Sequence, residues 1–179
     1  TGLERLSRVE GIFSNDTKPV ESFMPSRPIT STTPLTSLES VGTLYLLLDE
    51  TFQNFDGLQN LVEIQEDLLL LASYDTPSPL MLSLQGLNNL TSIGGRLTLN
   101  DVDLVDFTGL DSLESVGSID LYLGGRTLPS FESFAGLGAL QTITDKLQIS
   151  NYFEDLSLDA QPFLALSSLT TLGKLQLYN

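Results

Sequence analysis

Three aspartates crowd one short stretch, Leu99-Asn100-Asp101-Val102-Asp103-Leu104-Val105-Asp106. Closely spaced carboxylates on a turn offer the hard oxygen ligands that Ca²⁺ collects, roughly six to eight at a time. Asp101, Asp103 and Asp106 are therefore the candidate metal ligands of this chain. The same residues suit a solvated corner of an acidic protein, and no complete Ca²⁺-loop motif surrounds them. Asp49 with Glu50, and Glu154 with Asp155 and Asp159, are sparser groups of the same kind. No other cofactor is expected.

Carboxylate pairs also hydrolyse glycosidic bonds, with one acting as acid and the other as base or nucleophile. Here the pairs come without a basic partner or an aromatic platform, so a polysaccharide-active enzyme is the remote alternative. Cysteine and histidine are both absent. That removes Cys/His zinc sites, thiol nucleophiles and the imidazole general base together. The chain is read as non-catalytic.

Two further patterns carry chemistry. The residue preceding each repeated Ile or Val reads Arg8, Ser40, Glu63, Ser92, Ser115, Thr142 and Thr171. Five hydroxyls among the seven predict a stacked Ser/Thr ladder, which suits either glycan contact or close packing of a small polar face. Asn15-Asp16-Thr17 and Asn89-Leu90-Thr91 are N-glycosylation sequons, making Asn15 and Asn89 candidate modification sites.

Composition narrows the partners. Eight Lys+Arg stand against 23 Asp+Glu in 179 residues, a net charge of −15. Such a surface repels phosphate backbones and anionic membranes. The hydrophobic fraction of 41% argues for a packed core despite that charge. No apolar run approaches the roughly 20 residues of a membrane span. The longest, Leu44–Leu48 and Leu68–Ala72, have the length of strands.

What must position these residues is a repeat. The frame Leu-x-x-Leu-x-x-Ile/Val begins at Leu3, Leu35, Leu58, Leu87, Leu110, Leu137 and Leu166. Successive starts lie 32, 23, 29, 23, 27 and 29 residues apart, which is solenoid spacing. Each later frame runs into two alternating apolar residues, such as Leu97 and Leu99 or Leu147 and Ile149, the mark of a strand with one buried face. The spacing of three fits a helical or 3₁₀ turn, or an extended rung with tight corners. Glycine often precedes the first leucine (Gly2, Gly57, Gly86, Gly109, Gly136), as a corner with unusual backbone angles requires. Three residues before that leucine stand Phe55, Leu84, Phe107, Phe134 and Phe163, expected to stack as an internal column.

Segments such as Gly86-Leu87-Asn88-Asn89-Leu90-Thr91-Ser92-Ile93-Gly94-Gly95-Arg96-Leu97-Thr98-Leu99 and Phe107-Thr108-Gly109-Leu110-Asp111-Ser112-Leu113 resemble the receptor L domain. This family is related to leucine-rich repeats. The receptor versions carry cysteines, so the cysteine-free chain is closer to microbial or algal surface versions than to animal growth-factor receptors. The resemblance covers nearly the whole chain and is weakest over 13–33. It implies a mainly β fold, a right-handed β-solenoid, here of about seven coils with short helical or 3₁₀ turns. It also implies an extracellular or cell-surface location and a role in recognition, adhesion or scaffolding. The expected partners are a protein or glycan at that surface, or neighbouring copies or domains. The alternative role is a structural subunit of an extracellular filament or wall polymer assembled through the solenoid ends.

Residues 1–179 are read as one repeat domain, a segment of a longer protein, with 13–33 an inserted loop in the first coil. The insertions at Phe13–Thr33, Ser73–Pro79, Gly124–Ser130 and Asn151–Asp159 are expected along one edge. Tyr45, Leu47, Leu69 and Leu71 alternate with core leucines, so they should form an apolar outer face for an interface. That face should be covered by the first insertion or by a partner. Both ends lack a polar capping repeat, and each is expected to be covered in its turn.

Overall fold

The computed structural model describes residues 7–13, 32–52, 54–72, 80–81, 83–123, 131–151 and 162–178. The chain is mainly β, with one parallel sheet wound into a β-solenoid of about four turns and almost no helix. This coarse architecture is the one expected. The described residues define about four turns, not the seven coils expected.

The strands are β1 (Arg8–Phe13), β2 (Ser40–Leu48), β3 (Glu63–Ile64), β4 (Leu68–Ala72), β5 (Leu80–Met81), β6 (Ser92–Asn100), β7 (Asp103–Leu104), β8 (Ser115–Leu123), β9 (Thr142–Asn151) and β10 (Thr171–Tyr178). Two short 3₁₀ helices, Thr33–Leu35 and Pro162–Leu166, precede β2 and β10. The main sheet runs β1-β2-β3-β6-β8-β9-β10, with β4 inserted between β2 and β6; β5 and β7 form a separate pair. Every pairing is parallel.

Each element follows from the repeat. Among the described residues, successive i→i+3 hydrogen bonds form the turn of the frame. Leu58 N donates to Phe55 O and Leu61 N to Leu58 O, both at 3.0 Å. Leu110 N donates likewise to Phe107 O and Leu113 N to Leu110 O, both at 2.9 Å. In 3₁₀-type geometry side chains three apart eclipse, so Phe55, Leu58 and Leu61 all enter the core. This resolves the spacing of three as a turn rather than an extended rung. The corner glycines Gly57, Gly86, Gly109 and Gly136 have φ of 103°, 105°, 107° and 93°. Their fifth expected member, Gly2, and the frame leucines Leu3 and Leu6 lie outside the described residues.

Coils join through backbone hydrogen bonds repeated at one position. Val62 N, Thr91 N, Glu114 N, Gln141 N and Thr170 N each donate to the preceding coil, to Glu39 O, Val62 O, Thr91 O, Glu114 O and Gln141 O, all at 2.9 Å. Inside, the aromatic column forms as expected. Phe107 and Phe134 stack at 5.7 Å and 7°, and Phe134 and Phe163 at 5.2 Å and 27°. Phe52 and Phe131 join it edge-on, against Phe55 at 5.1 Å and Phe134 at 5.2 Å. The sequence holds this extension too, since the step of three runs back from Phe55 to Phe52 and from Phe134 to Phe131.

Candidate recognition face

Strand register decides what shares a face. The residues of β2, β4, β6, β8, β9 and β10 that alternate with the core form two columns on the outer side of the sheet. One column reads Tyr45, Leu69, Thr98, Asp120, Gln148, Gln176. The other reads Leu47, Leu71, Asn100, Tyr122, Ser150, Tyr178. The face therefore changes along the stack, from apolar side chains on β2 and β4 to hydrogen-bonding ones on β6 through β10.

The four apolar residues do share adjacent strands, but they are not an open patch. Tyr45 and Leu69 are half-buried, while Leu47 and Leu71 are 3% and 9% exposed. Alternation sets which side of the sheet a residue takes, and it carries no information on what covers that side. Phe13 belongs to β1, and Val20, Phe23 and Met24 of the insertion expected over this face lie outside the described residues. So do the insertions 73–79 and 124–130, nearly all of 151–159, and the sequon at Asn15.

The polar part centres on Asp120, which is 3% exposed on β8. Lys146, on the neighbouring β9, places Nζ 2.8 Å from Asp120 Oδ1. This is a charge contact, since Oδ1 receives no aligned hydrogen bond among the described residues. The ammonium instead donates to Gln148 Oε1 at 2.7 Å. Gln148 Nε2 then donates to Ser150 Oγ at 3.2 Å and Tyr122 Oη at 3.3 Å. Contact with the Asp120 carboxylate raises the Lys146 pKa above its ordinary value, outweighing the partial burial that would lower it. One strand further, Gln176 Nε2 donates to Tyr178 Oη at 3.0 Å, with Tyr178 and Lys174 exposed. The result is a chain of amides, hydroxyls and one ammonium, buried at β8–β9 and opening to solvent at β10. Asp120 and Lys146 carry no sequence signal. They lie 26 residues apart, and only the register brings them together.

The other candidates separate. Asp106 Oδ1 accepts the Thr108 N–H at 2.8 Å. Asn54 and Ser133 do the same for Asp56 N and Ala135 N, so Asp106 fills the turn position of the repeat. Asp103 lies in β7, paired with Leu80, and Asp101 sits at φ 55° just after β6. Among the described residues no three acidic side chains gather as a metal site. The expected hydroxyl ladder is in register, Ser92 beside Ser115, Thr142 and Thr171, with Arg8, Ser40 and Glu63 in the same column. Asn89 is exposed and its Nδ2 donates to Gln59 O of the preceding coil at 2.7 Å, as Asn60 does to Thr36 O. Among the described residues no helix is long and apolar enough to cross a membrane.

No family model, curated protein or solved structure matches the chain.

Proposed function

We propose that the chain is a non-catalytic recognition or scaffolding module at a cell surface, a seven-coil solenoid of the receptor-L-domain kind. The observation that carries this reading is the outer sheet face. Hydrogen-bonding side chains recur there at the strand spacing of about 4.8 Å and end in exposed Lys174 and Tyr178 flanking half-buried Gln176. An array of that pitch engages an extended partner at many points. Its amides, hydroxyls and ammonium suit the hydroxyls of a neutral surface glycan. The −15 net charge opposes nucleic acid as the partner.

Retention of the purified chain on an array of neutral and acidic cell-surface polysaccharides tests the proposal. Saturable binding is expected, weakened on the order of tenfold by Gln176→Ala with Tyr178→Ala while the circular dichroism stays unchanged. Absence of binding across the array would count against it. Release of new reducing ends from a polysaccharide would reinstate the enzyme reading.

A further inference from the structure

Two cations of the outer face are each held by an acid from the preceding coil. Arg96, Ser118 and Lys146 are register partners on β6, β8 and β9, so both cations lie in one column. Asp67 Oδ2 stands 3.3 Å from the Arg96 guanidinium, and Asp67 Oδ1 accepts the Arg96 backbone N–H at 2.7 Å. Asp120 Oδ1 stands 2.8 Å from Lys146 Nζ. The second pair is the more enclosed: Asp120 is 3% exposed, whereas Lys146 keeps 23% of its side chain open to solvent. Stability is a poor reason for an acid at that place. Its register partners Thr98 and Gln148 are neutral, and desolvating two charges largely offsets the attraction of a buried pair. What the pair decides is charge. Lys146 belongs to a network with Gln148, Ser150 and Tyr122, whose amide and hydroxyls suit sugar hydroxyls. With Asp120 in place that network carries no net charge of its own.

We propose that Asp120 is a specificity-determining residue of the outer face: by occupying Lys146, it makes the face admit neutral glycans and reject carboxylated ones. The proposal rests on the glycan-recognition reading. A carboxylated sugar reaching Lys146 meets an anion already seated there, on a chain whose net charge is −15. Rejection by a like charge is how a site tells apart partners that offer the same hydroxyls. The other charges near Lys146 do not replace Asp120. Asp145 is exposed and accepts the Ser118 Oγ hydrogen bond at 3.2 Å, so solvent screens it. Lys174, the register partner of Lys146 on β10, is an exposed cation screened in the same way.

The test is calorimetric titration with two probes: the neutral polymer on which the array retains the chain, and the carboxymethylated form of that same polymer. The wild type should prefer the neutral form by on the order of tenfold or more. Asp120→Asn, close in shape, should erase about tenfold of that preference by gaining affinity for the carboxymethylated form. The gain should fade with added salt and vanish when Lys146→Met is combined with it. Glu114→Gln removes the same charge from an exposed site and should leave the preference unchanged. Lys146→Met alone should sharpen the preference, which keeps the test open should Asp120→Asn fail to fold. A wild type that binds both forms alike, or an Asp120→Asn variant that behaves as Glu114→Gln does, would overturn the assignment and leave glycan recognition standing. A wild type that binds no polymer of the array would remove both.

Discussion

At the scale of single residues, Lys146 and Asp120 are the most informative pair on the outer face. A carboxylate as buried as Asp120 is costly unless charge or hydrogen bonds compensate it, and here one ammonium supplies the charge. Because the folded state raises the Lys146 pKa, the stabilisation is complete below the ordinary lysine value of 10.5. It is lost as the pH climbs through the higher, folded value. Urea unfolding of the wild type and of Lys146→Met across an alkaline pH series checks this sign. The wild type should be the more stable by a constant margin up to the ordinary lysine range, and the margin should shrink above it. A margin that widens with alkalinity would mean that the ammonium is not held by Asp120. The pair also marks a limit of sequence reading. An acid on one coil and a base on the next become neighbours through coil length and register, which no local motif encodes.

At the scale of elements, most of the unit was legible. Phe55, Leu58 and Leu61 in steps of three became a double turn, and Leu68 and Leu70 in steps of two became a strand. The phenylalanine column followed from the same phase. Less legible was the number of residues between turn and strand. Ile93 to Leu97 takes four steps and Val116 to Ile119 takes three, and the sheet absorbs the difference as an irregularity between β6 and β8. Nor could spacing foresee that Asp106 serves its own turn, because an aspartate in a metal loop and one in an Asx turn have the same local sequence. The corner itself is open to test. Gly109 combines a φ of 107° with a position where a Cβ would meet the backbone of Leu84 and Gln85 in the preceding coil. Positive φ alone costs a side chain about 1–2 kcal/mol, and the contact adds to that. Gly109→Ala should therefore lose at least about 2 kcal/mol in urea unfolding. Gly138→Ala, two residues beyond Gly136, meets nothing within 4 Å and should change stability by under about 0.5 kcal/mol. Equal effects at the two sites would refute the corner geometry.

At the scale of the whole molecule, stability and function both rest on stacking. Each coil presents an apolar face that only its neighbours can bury, so the frame is kept while the loops vary. Stacking on both sides buries the core residues of β8 and β9, such as Ile119 and Leu147, almost completely. The outer face inherits its regularity from the same register, and the binding reading depends on it. The most direct test is therefore the register itself, read by disulfide trapping in a chain free of cysteine. Ser115 and Thr142 are Cα partners on adjacent strands, while Ser92 and Thr142 stand two strands apart in the same column. Adjacent parallel strands lie about 4.8 Å apart, within disulfide reach, and alternate ones about twice that, beyond it. Ser115→Cys with Thr142→Cys should oxidise to an intramolecular disulfide in the native state, whereas Ser92→Cys with Thr142→Cys should keep two free thiols. Trapping of the second pair and not the first would contradict the stack.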